Sequence, residues 1–395
     1  MLRSKSPTAD MRRTLVLAIL ALSSIVACES PSHPLGEGLP IAHAGPDFPE
    51  RGKADSIVIA LVEQFGLPGL SVALARDDRL VYAAAVGWAD PANRVPITTT
   101  TRMRLASVSK PVTSLALMTL AEQGLISLDT AVFGPTGVLG TEYGEPMFAG
   151  KKATITVRQL LQHLEGGWGN QGSDPVFAFY DLTQRELIAR TLRDRPLTSN
   201  PGTAQAYSNF GYLVLGRVIE QVTGQRYEDA VRALVLQPSG ASGMRIGAPR
   251  GAPRASDEAV YDGSNGDPYY LRPDLMDAHG GWVAHPLELL RVVNRFDGRG
   301  EVMDLLPPER LREMTTGDST FSDYALGWSV NRLDNWFHQG GMPGTASMIA
   351  RTSSGFNWVI ITNTRPASSD FTRALDQLMW KVLGAVSAWP AGEPW

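Results

Sequence analysis

The segment at 107–124 is apolar on nearly every face of the helix that its spacing predicts. Its large apolar residues are Val112, Leu115, Leu117, Met118 and Leu120. A helix that is hydrophobic all round has to be covered by protein on every side. The chain has 395 residues, of which 43 % are hydrophobic, and is long enough to build such a core. We therefore expect the fold to surround this helix.

Strand patterns occur near both ends of the chain, and helical patterns dominate the middle. Strands are predicted on either side of a turn at Asp77 and Asp78, and again at 324–331, 347–353 and 357–364. Helices are predicted at 54–66, 156–164, 209–224 and 371–386. We predict a two-lobed α+β fold. One antiparallel sheet, built from both chain ends and flanked by helices, carries an inserted, mostly helical lobe.

The N-terminus has the layout of a secretory signal. Arg12 and Arg13 precede an apolar run at 15–22, which is too short to cross a membrane as a stable helix. The following small residues end at Cys28, the only cysteine of the chain, as in a bacterial lipoprotein box. We predict a signal peptide with a lipobox at 1–28, in which Cys28 is lipidated. An ordinary cleaved signal with an incidental cysteine is the alternative.

The signal divides the chain into a leader, a linker and one folded domain. Residues 29–52 are rich in Pro and Gly and predict a flexible tether, which leaves 53–388 as the domain. We expect an exported monomer of the bacterial cell envelope, either periplasmic or anchored in the membrane. Its contact with a membrane is expected only through the N-terminal lipid.

The charge pattern argues against nucleic-acid binding. The formal net charge is −4, and no basic stripe is present. His163, His279 and His285 lack the spacing of a metal site and are interpreted as structural histidines. We expect neither a metal nor another cofactor.

Ser107 and Lys110 form the first candidate for chemistry. Residues three apart in a helix share a face, so the two side chains can meet. Lysine occurs only six times in this chain, and unlike arginine it can lose its proton when buried. A neutral amine beside a hydroxyl can activate it as a nucleophile. A helix cap followed by a solvated lysine is the alternative, and the apolar surroundings of Lys110 argue against it.

Two further segments carry candidate residues. Tyr207 and Asn209 alternate in an extended stretch just before a helix and can face one site. A tyrosine that packs under the helix, with Asn209 as the N-cap, is the alternative. Downstream, a strand leads into His338, Gly340 and Gly341, where glycines let a ligand approach the backbone. A glycine-rich hairpin bend is the alternative there.

Together the three segments resemble the serine β-lactamase and penicillin-binding-protein superfamily, and more closely its class C branch. That branch contains class C β-lactamases, D-alanyl-D-alanine carboxypeptidases, D-aminopeptidases and family VIII esterases. The family has Ser-x-x-Lys, Tyr-x-Asn and Lys/His-x-Gly motifs in this chain order, and here they read SVSK, YSN and HQG. The likeness covers about 54–386 and implies the β-lactamase/transpeptidase-like fold.

The resemblance implies a role for each motif residue. Ser107 would be the acylated nucleophile, while Lys110 and Tyr207 would move its proton and that of the leaving group. Asn209 would orient the substrate and the lysine. No cofactor is needed for such a reaction.

The resemblance also implies how the third motif works. His338 and Gly340 would lie on the strand edge with which the substrate pairs. The oxyanion hole would use the backbone N–H groups of Ser107 and Gly341.

The sequence departs from the family pattern at two places. Where the family usually reads SHTSG, residues 162–167 read QHLEGG, which alters the rim of the cleft. The third motif begins with His338, whereas class C β-lactamases have a lysine there that suits the carboxylate of a β-lactam. This difference favours esterase or peptidase activity.

We therefore predict a serine hydrolase that cleaves an ester or amide through an acyl-enzyme. Its type would be esterase or D-peptide peptidase, including carboxypeptidase, with weak β-lactamase activity. A true class C-type β-lactamase is one alternative. A non-catalytic sensor domain that binds penicillin or peptidoglycan fragments is the alternative from another class.

Overall fold

The computed structural model describes residues 38–144, 150–299 and 302–394. The predicted signal peptide, with its lipobox and Cys28, lies outside the described residues. Among the described residues, no helix combines the length and hydrophobicity that a membrane span requires.

The strands form one large and one small antiparallel sheet. In chain order they are β1 (Ile41–Ala44), β2 (Gly69–Arg76), β3 (Arg79–Asp90), β4 (Val95–Pro96), β5 (Met103–Arg104), β6 (Arg245–Ile246), β7 (Trp282–Ala284), β8 (Ser329–Val330), β9 (Trp336–Met342), β10 (Thr345–Arg351) and β11 (Phe356–Thr362). The large sheet has the order β1-β3-β2-β11-β10-β9-β8, with β4 paired to β3, and the small sheet has the order β5-β7-β6. Both chain ends therefore contribute to the large sheet, which confirms the predicted fold class.

The α-helices lie at both ends of the chain and fill its middle. They are α1 (Arg51–Phe65), α2 (Ser109–Glu122), α3 (Val157–Leu161), α4 (Pro175–Ala178), α5 (Gln184–Asp194), α6 (Asn209–Thr223), α7 (Tyr227–Val231), α8 (Pro273–Gly280), α9 (Pro286–Val293), α10 (Pro308–Thr315) and α11 (Ser369–Ala385). Gly66 and Gly224 end α1 and α6 in the left-handed conformation, as their positions predict.

The large sheet is buried on both faces. On β2, Leu70, Val72 and Leu74 belong to the core shared with α1 and α11, whereas Ala73 and Ala75 face the helical lobe. Alternate residues of a strand point to opposite faces of the sheet, so a strand that is buried on both faces is apolar throughout. On the lobe side, every residue of α2 up to Ala121 is buried, which confirms that this helix is enclosed by the fold.

The folded domain is longer than the predicted range of 53–388. β1 lies within the stretch predicted as a tether and pairs with β3. The compact unit accordingly starts at Leu39. At the other end Trp389 packs on Phe48, with 5.5 Å between the ring centroids. The sequence pattern misses β1 because an edge strand pairs through its backbone and needs no apolar periodicity.

Candidate active site

Ser107 lies in a distorted turn that leads into α2. Residues Ala106–Val108 form a 3₁₀ turn, and the α-helix begins at Ser109. Ala106 has a φ of 49°, an unfavourable conformation for a residue with a Cβ. Pro111 has no N–H to donate to the Ser107 carbonyl, so the regular helix starts after the serine. The half-buried hydroxyl of Ser107 is thereby held at the helix entrance.

The surrounding strands hold this turn from two sides. The Leu105 N–H donates to the Trp282 carbonyl of β7 at 2.8 Å, and the Leu105 carbonyl accepts from the Ser347 hydroxyl of β10 at 2.6 Å. A Cβ at Gly340 would overlap both the Leu105 carbonyl and the Ser347 hydroxyl. Glycine at 340 is therefore what lets β9 approach the turn that carries Ser107 so closely.

Lys110 is fully buried beside Ser107. Its ammonium nitrogen donates to Ser107 Oγ at 3.2 Å, to Asn209 Oδ1 at 2.8 Å and to the His279 carbonyl at 3.0 Å. Burial lowers the pKa of Lys110 to about 7, and the negative charge of Asp174 acts in the opposite direction. The amine can therefore be neutral near physiological pH, next to the hydroxyl that it would deprotonate.

Asp174 links the second motif to the lysine. Its carboxylate accepts from Asn209 Nδ2 at 2.7 Å and from the Val176 N–H at 2.9 Å as the N-cap of α4. Asn209 in turn offers its Oδ1 to Lys110, so its amide orientation is determined from both ends. Asn209 is the first residue of α6, and Ser208 is the cap. Sequence reasoning missed Asp174, although an aspartate before a proline is a known start signal for a helix.

Tyr207 completes the group around Ser107. Lys110 Nζ lies 4.6 Å from the centroid of the Tyr207 ring. Burial raises the pKa of Tyr207 above its usual range, and a hydrogen bond with Ser107 opposes this shift. The structure thus brings Ser107, Lys110, Tyr207 and Asn209 together.

His338 reaches the same cleft but is held in one neutral form. Its Nδ1 lies 2.8 Å from the Gln339 carbonyl, which can only accept, so Nδ1 carries the proton. Its Nε2 then accepts from the Tyr324 hydroxyl at 3.1 Å. Burial lowers the pKa of His338 to about 3, and the charge of Lys110 acts in the same direction. The imidazole is therefore no cation for a substrate at neutral pH. Sequence reasoning missed Tyr324.

The outer edge of β9 is open next to the serine. β8 pairs only with Trp336 and Phe337, so no described strand covers the edge from His338 to Met342. Gly341 lies on this edge and is exposed. An extended substrate can pair with such an edge, and backbone N–H groups there can face a developing oxyanion.

Arg365 lies beside this edge and was not singled out from the sequence. A Cβ built at Gly341 would come within 2.8 Å of Arg365 Nε, so the guanidinium covers that glycine. Arg365 is exposed and follows β11. It places a permanent positive charge close to Gly341.

The segment 162–167 contributes buried polar residues, of which His163 and Glu165 are each 1 % exposed. His163 has a φ of 60°, and its ring lies 4.4 Å from that of Tyr207 and 4.6 Å from that of Tyr324. Its Nδ1 accepts from the Ser208 N–H at 3.1 Å, whereas Nε2 has no hydrogen-bond partner among the described residues. The prediction that His163 is a satisfied structural histidine is therefore only half correct. His163 restrains the stretch that carries Tyr207.

Glu165 is the second of these residues and is 1 % exposed. Within the described chain, neither of its carboxyl oxygens has hydrogen-bond geometry to a partner. Burial raises the pKa of Glu165 to about 7, and the nearby Ser208 hydroxyl opposes the shift. The carboxyl is therefore near its point of ionisation at neutral pH.

The described residues contain no cluster of three histidine, cysteine or acidic side chains suited to a metal ion. The chemistry available at the cleft is that of a serine hydroxyl, an amine that can be neutral and a phenol. Such a set can transfer an acyl group to serine and then to water.

A sheet built from both chain ends, with a helical lobe over one face and a Ser-Lys pair at their junction, is the β-lactamase/transpeptidase architecture. A family model described as "Beta-lactamase" matches residues 54–379, and the chain belongs to that family. The family is one of serine hydrolases.

Known proteins with different activities resemble the chain. Esterase EstB of Burkholderia gladioli is 33 % identical over 198 residues, which cover 48 % of this chain and 49 % of EstB. The structure of D-amino acid amidase from Ochrobactrum anthropi SV3 has a TM-score of 0.68 at 24 % identity, over 85 % of this chain and 97 % of the amidase. A class C β-lactamase structure has a TM-score of 0.70 at 18 % identity, over 86 % and 96 % of the two chains. The structural matches support the fold alone.

The curated relatives match this chain over only part of their own length. The matched part spans 42 to 62 % of the length of three of them. The relatives therefore support the family of this chain but do not define its substrate.

Proposed function

We propose that the protein is a serine hydrolase that cleaves an ester or amide through an acyl-enzyme on Ser107. The observation that carries this proposal is the buried amine of Lys110, 3.2 Å from the Ser107 hydroxyl and with its pKa lowered to about 7. A buried cation without a role would be costly, whereas a neutral amine there is a general base.

The reaction can be written with the residues of the cleft. Lys110 accepts the Ser107 proton while Oγ forms a bond to the substrate carbonyl carbon. The N–H groups of Ser107 and Gly341 stabilise the oxyanion. Tyr207 gives its proton to the leaving alcohol or amine as the bond to carbon breaks, and takes the serine proton from Lys110 in its place. Water then attacks the acyl-enzyme and gives a proton to Lys110, which passes it to Ser107 Oγ as the acyl–oxygen bond breaks.

The charges around β9 bear on the substrate. His338 is held neutral, so it does not supply the cation that class C β-lactamases have in this motif. Arg365 places a permanent charge beside Gly341. We infer a substrate that is an ester or a D-peptide, with β-lactams as poor substrates because the motif position His338 holds no cation for their carboxylate. The similarity to an esterase supports the ester part of this range.

Active-site probes test the reaction type. Wild-type protein is expected to be labelled covalently by a fluorophosphonate or a fluorescent penicillin, and Ser107→Ala is expected to remain unlabelled. Folded wild-type protein that takes up neither probe would contradict an acyl-enzyme on Ser107. Parallel rates on a p-nitrophenyl ester, a D-Ala-D-Ala peptide and a chromogenic cephalosporin then rank the substrate classes. A cephalosporin rate above both others would contradict the inferred substrate and indicate a true β-lactamase.

We further propose that the protein is exported, lipidated at Cys28 and monomeric. The basic, apolar and small residues that lead to the only cysteine support this proposal. Metabolic labelling with a palmitate analogue is expected to mark wild-type protein and not Cys28→Ser. Equal labelling of both would contradict lipidation at this position. Size-exclusion chromatography with light scattering tests the monomer.

A further inference from the structure

A second cavity, of about 460 Å³, lies away from Ser107. Leu105 precedes the turn that carries Ser107, and its carbonyl accepts a hydrogen bond from Ser347 on β10. Across the sheet, Ser347 is paired with Ile361 on β11, and Ile361 is paired with Ser71 on β2. The cavity is lined by Asp78, seven residues further along the hairpin. At about 3.3 Å per residue, the two places are roughly 20 Å apart.

Three arginines line this cavity. Arg79 donates to two carbonyls of the C-terminal tail, each at 2.9 Å, and Arg291 donates to the Gly240 carbonyl at 3.1 Å. The third is Arg295, one turn beyond Arg291. The carbonyls that accept from Arg79 are neutral, so these bonds fix its guanidinium without cancelling its charge.

Asp78 is the acidic residue of the described lining, and its carboxyl is already engaged. It accepts from the Val302 N–H at 3.1 Å and lies beside Asp297. Burial and the neighbouring Asp297 raise the pKa of Asp78 to about 8. Little of its negative charge is therefore available to the arginines at neutral pH.

Two polar groups of the lining are buried and have no hydrogen-bond partner among the described residues. Ser239 is 7 % exposed, and its hydroxyl makes no hydrogen bond within the described residues. Arg295 Nε is likewise buried and lacks a partner in the described chain. An unsatisfied buried polar group is energetically unfavourable. Both side chains belong to the cavity lining, where an occupant that accepts hydrogen bonds would satisfy them.

We propose that this cavity is a second binding site, for a small anion that carries phosphate or carboxylate groups. Guanidinium groups bind both kinds of anion through paired hydrogen bonds. The volume suits a small molecule. The proposal does not depend on the reaction at Ser107, which lies outside this cavity.

Calorimetric titration with inorganic phosphate and with citrate, at constant ionic strength set by sodium chloride, tests the site. Wild-type protein is expected to bind one or both anions. A response to phosphate alone assigns phosphate groups, and a response to citrate alone assigns carboxylates. Arg295→Gln is expected to weaken binding about tenfold or more, and Ser239→Ala about threefold. Arg312→Gln on α10 removes the same charge from an exposed position and is expected to bind like wild type.

The folding of each variant is checked by its near-ultraviolet circular dichroism and its urea unfolding midpoint, which should equal those of wild type. Should Arg295→Gln fail to fold, Ser239→Glu places a carboxylate in the cavity and is expected to abolish binding. Wild-type protein that binds neither anion, or an equal loss of affinity in Arg312→Gln, would overturn the proposal.

Discussion

Lys110 shows why one lysine matters in a chain that otherwise uses arginine for most of its positive charge. Its side chain is enclosed by α2, α6 and α8, and its three hydrogen-bond acceptors fix the amine beside Ser107. Burial disfavours the ammonium form, so the proton can leave. A guanidinium at this position would stay charged.

Lys110→Arg is therefore expected to abolish acylation of Ser107 while the fold and the charge are kept. The loss of a general base predicts a decrease of about 10²–10⁴-fold in the rate of labelling by a fluorophosphonate. Near-ultraviolet circular dichroism checks the fold. Substantial remaining acylation would show that Lys110 is not the base.

The pH dependence of turnover should report the same amine. The kcat/KM of an ester is expected to rise with pH through about 7, because the neutral form of Lys110 is the active one. Asp174 opposes the lowering of this pKa by burial, so Asp174→Asn should move the rise to lower pH. A rise that stays in place or moves upward in the variant would contradict the electrostatic link.

Glu165 predicts a pH dependence of stability. The pKa of Glu165 is about 7 in the folded protein and about 4.5 in the unfolded chain. Its contribution to the free energy of unfolding is therefore full below about pH 4.5 and is lost as the pH rises through 7. Glu165→Gln is expected to be more stable than wild type at pH 8, by at most roughly 3 kcal/mol, and less so at pH 5. Urea unfolding at both pH values measures this difference. A pH-independent difference would contradict the prediction.

At the scale of elements, the close approach of β9 to the turn that carries Ser107 shapes the cleft. Leu105 joins the turn to β7 and β10, and Gly340 leaves room for the contact. β8 stops after Phe337, which leaves the adjacent edge of β9 open. Three separate parts of the sequence thus meet at one strand edge.

Gly340→Ala is expected to separate β9 from the turn, because its Cβ would overlap backbone and hydroxyl atoms. We predict at least a tenfold loss of kcat/KM and a destabilisation of about 1–3 kcal/mol. Gly384→Ala on α11 is the matched control, since its Cβ would meet open space, and helix propensity predicts up to about 1 kcal/mol of stabilisation. Equal behaviour of the two variants would show that the contact is unimportant.

At the scale of the whole molecule, the two ends of the chain close the side of the sheet opposite the cleft. α1 packs against α11, and Trp389 contacts Phe48 and Phe356. β1 extends the sheet at the edge opposite β9. The cleft is therefore supported by strands from both ends, while the loops that surround it come from the middle of the chain.

Removal of residues up to 38 is expected to leave ester turnover and unfolding midpoint unchanged, because the compact unit starts at Leu39. Removal up to 50 deletes β1 and Phe48 and should lower the free energy of unfolding by about 2–5 kcal/mol. Urea titration of the two shortened chains measures the difference. Equal midpoints would show that β1 is dispensable.

The sequence by itself determined the elements whose signals are local. The enclosed α2, the hairpin at Asp77 and Asp78, and the glycine-ended α1 and α6 follow from periodicity and turn chemistry. The family and the fold class were also predictable, because the three motifs occur in the family's order and in segments that are predicted as helix starts or a strand. Backbone propensity and side-chain spacing act over a few residues and can be read directly.

Tertiary structure alone decided which groups share a site and in what charge state. Asp174, Tyr324 and Arg365 lie far from the motif residues in sequence, and only folding brings them to Asn209, His338 and Gly341. Burial allows Lys110 to be neutral. Burial and two hydrogen-bond partners keep His338 neutral. These are properties of the assembled core, because desolvation and charge interactions act through space and not along the chain.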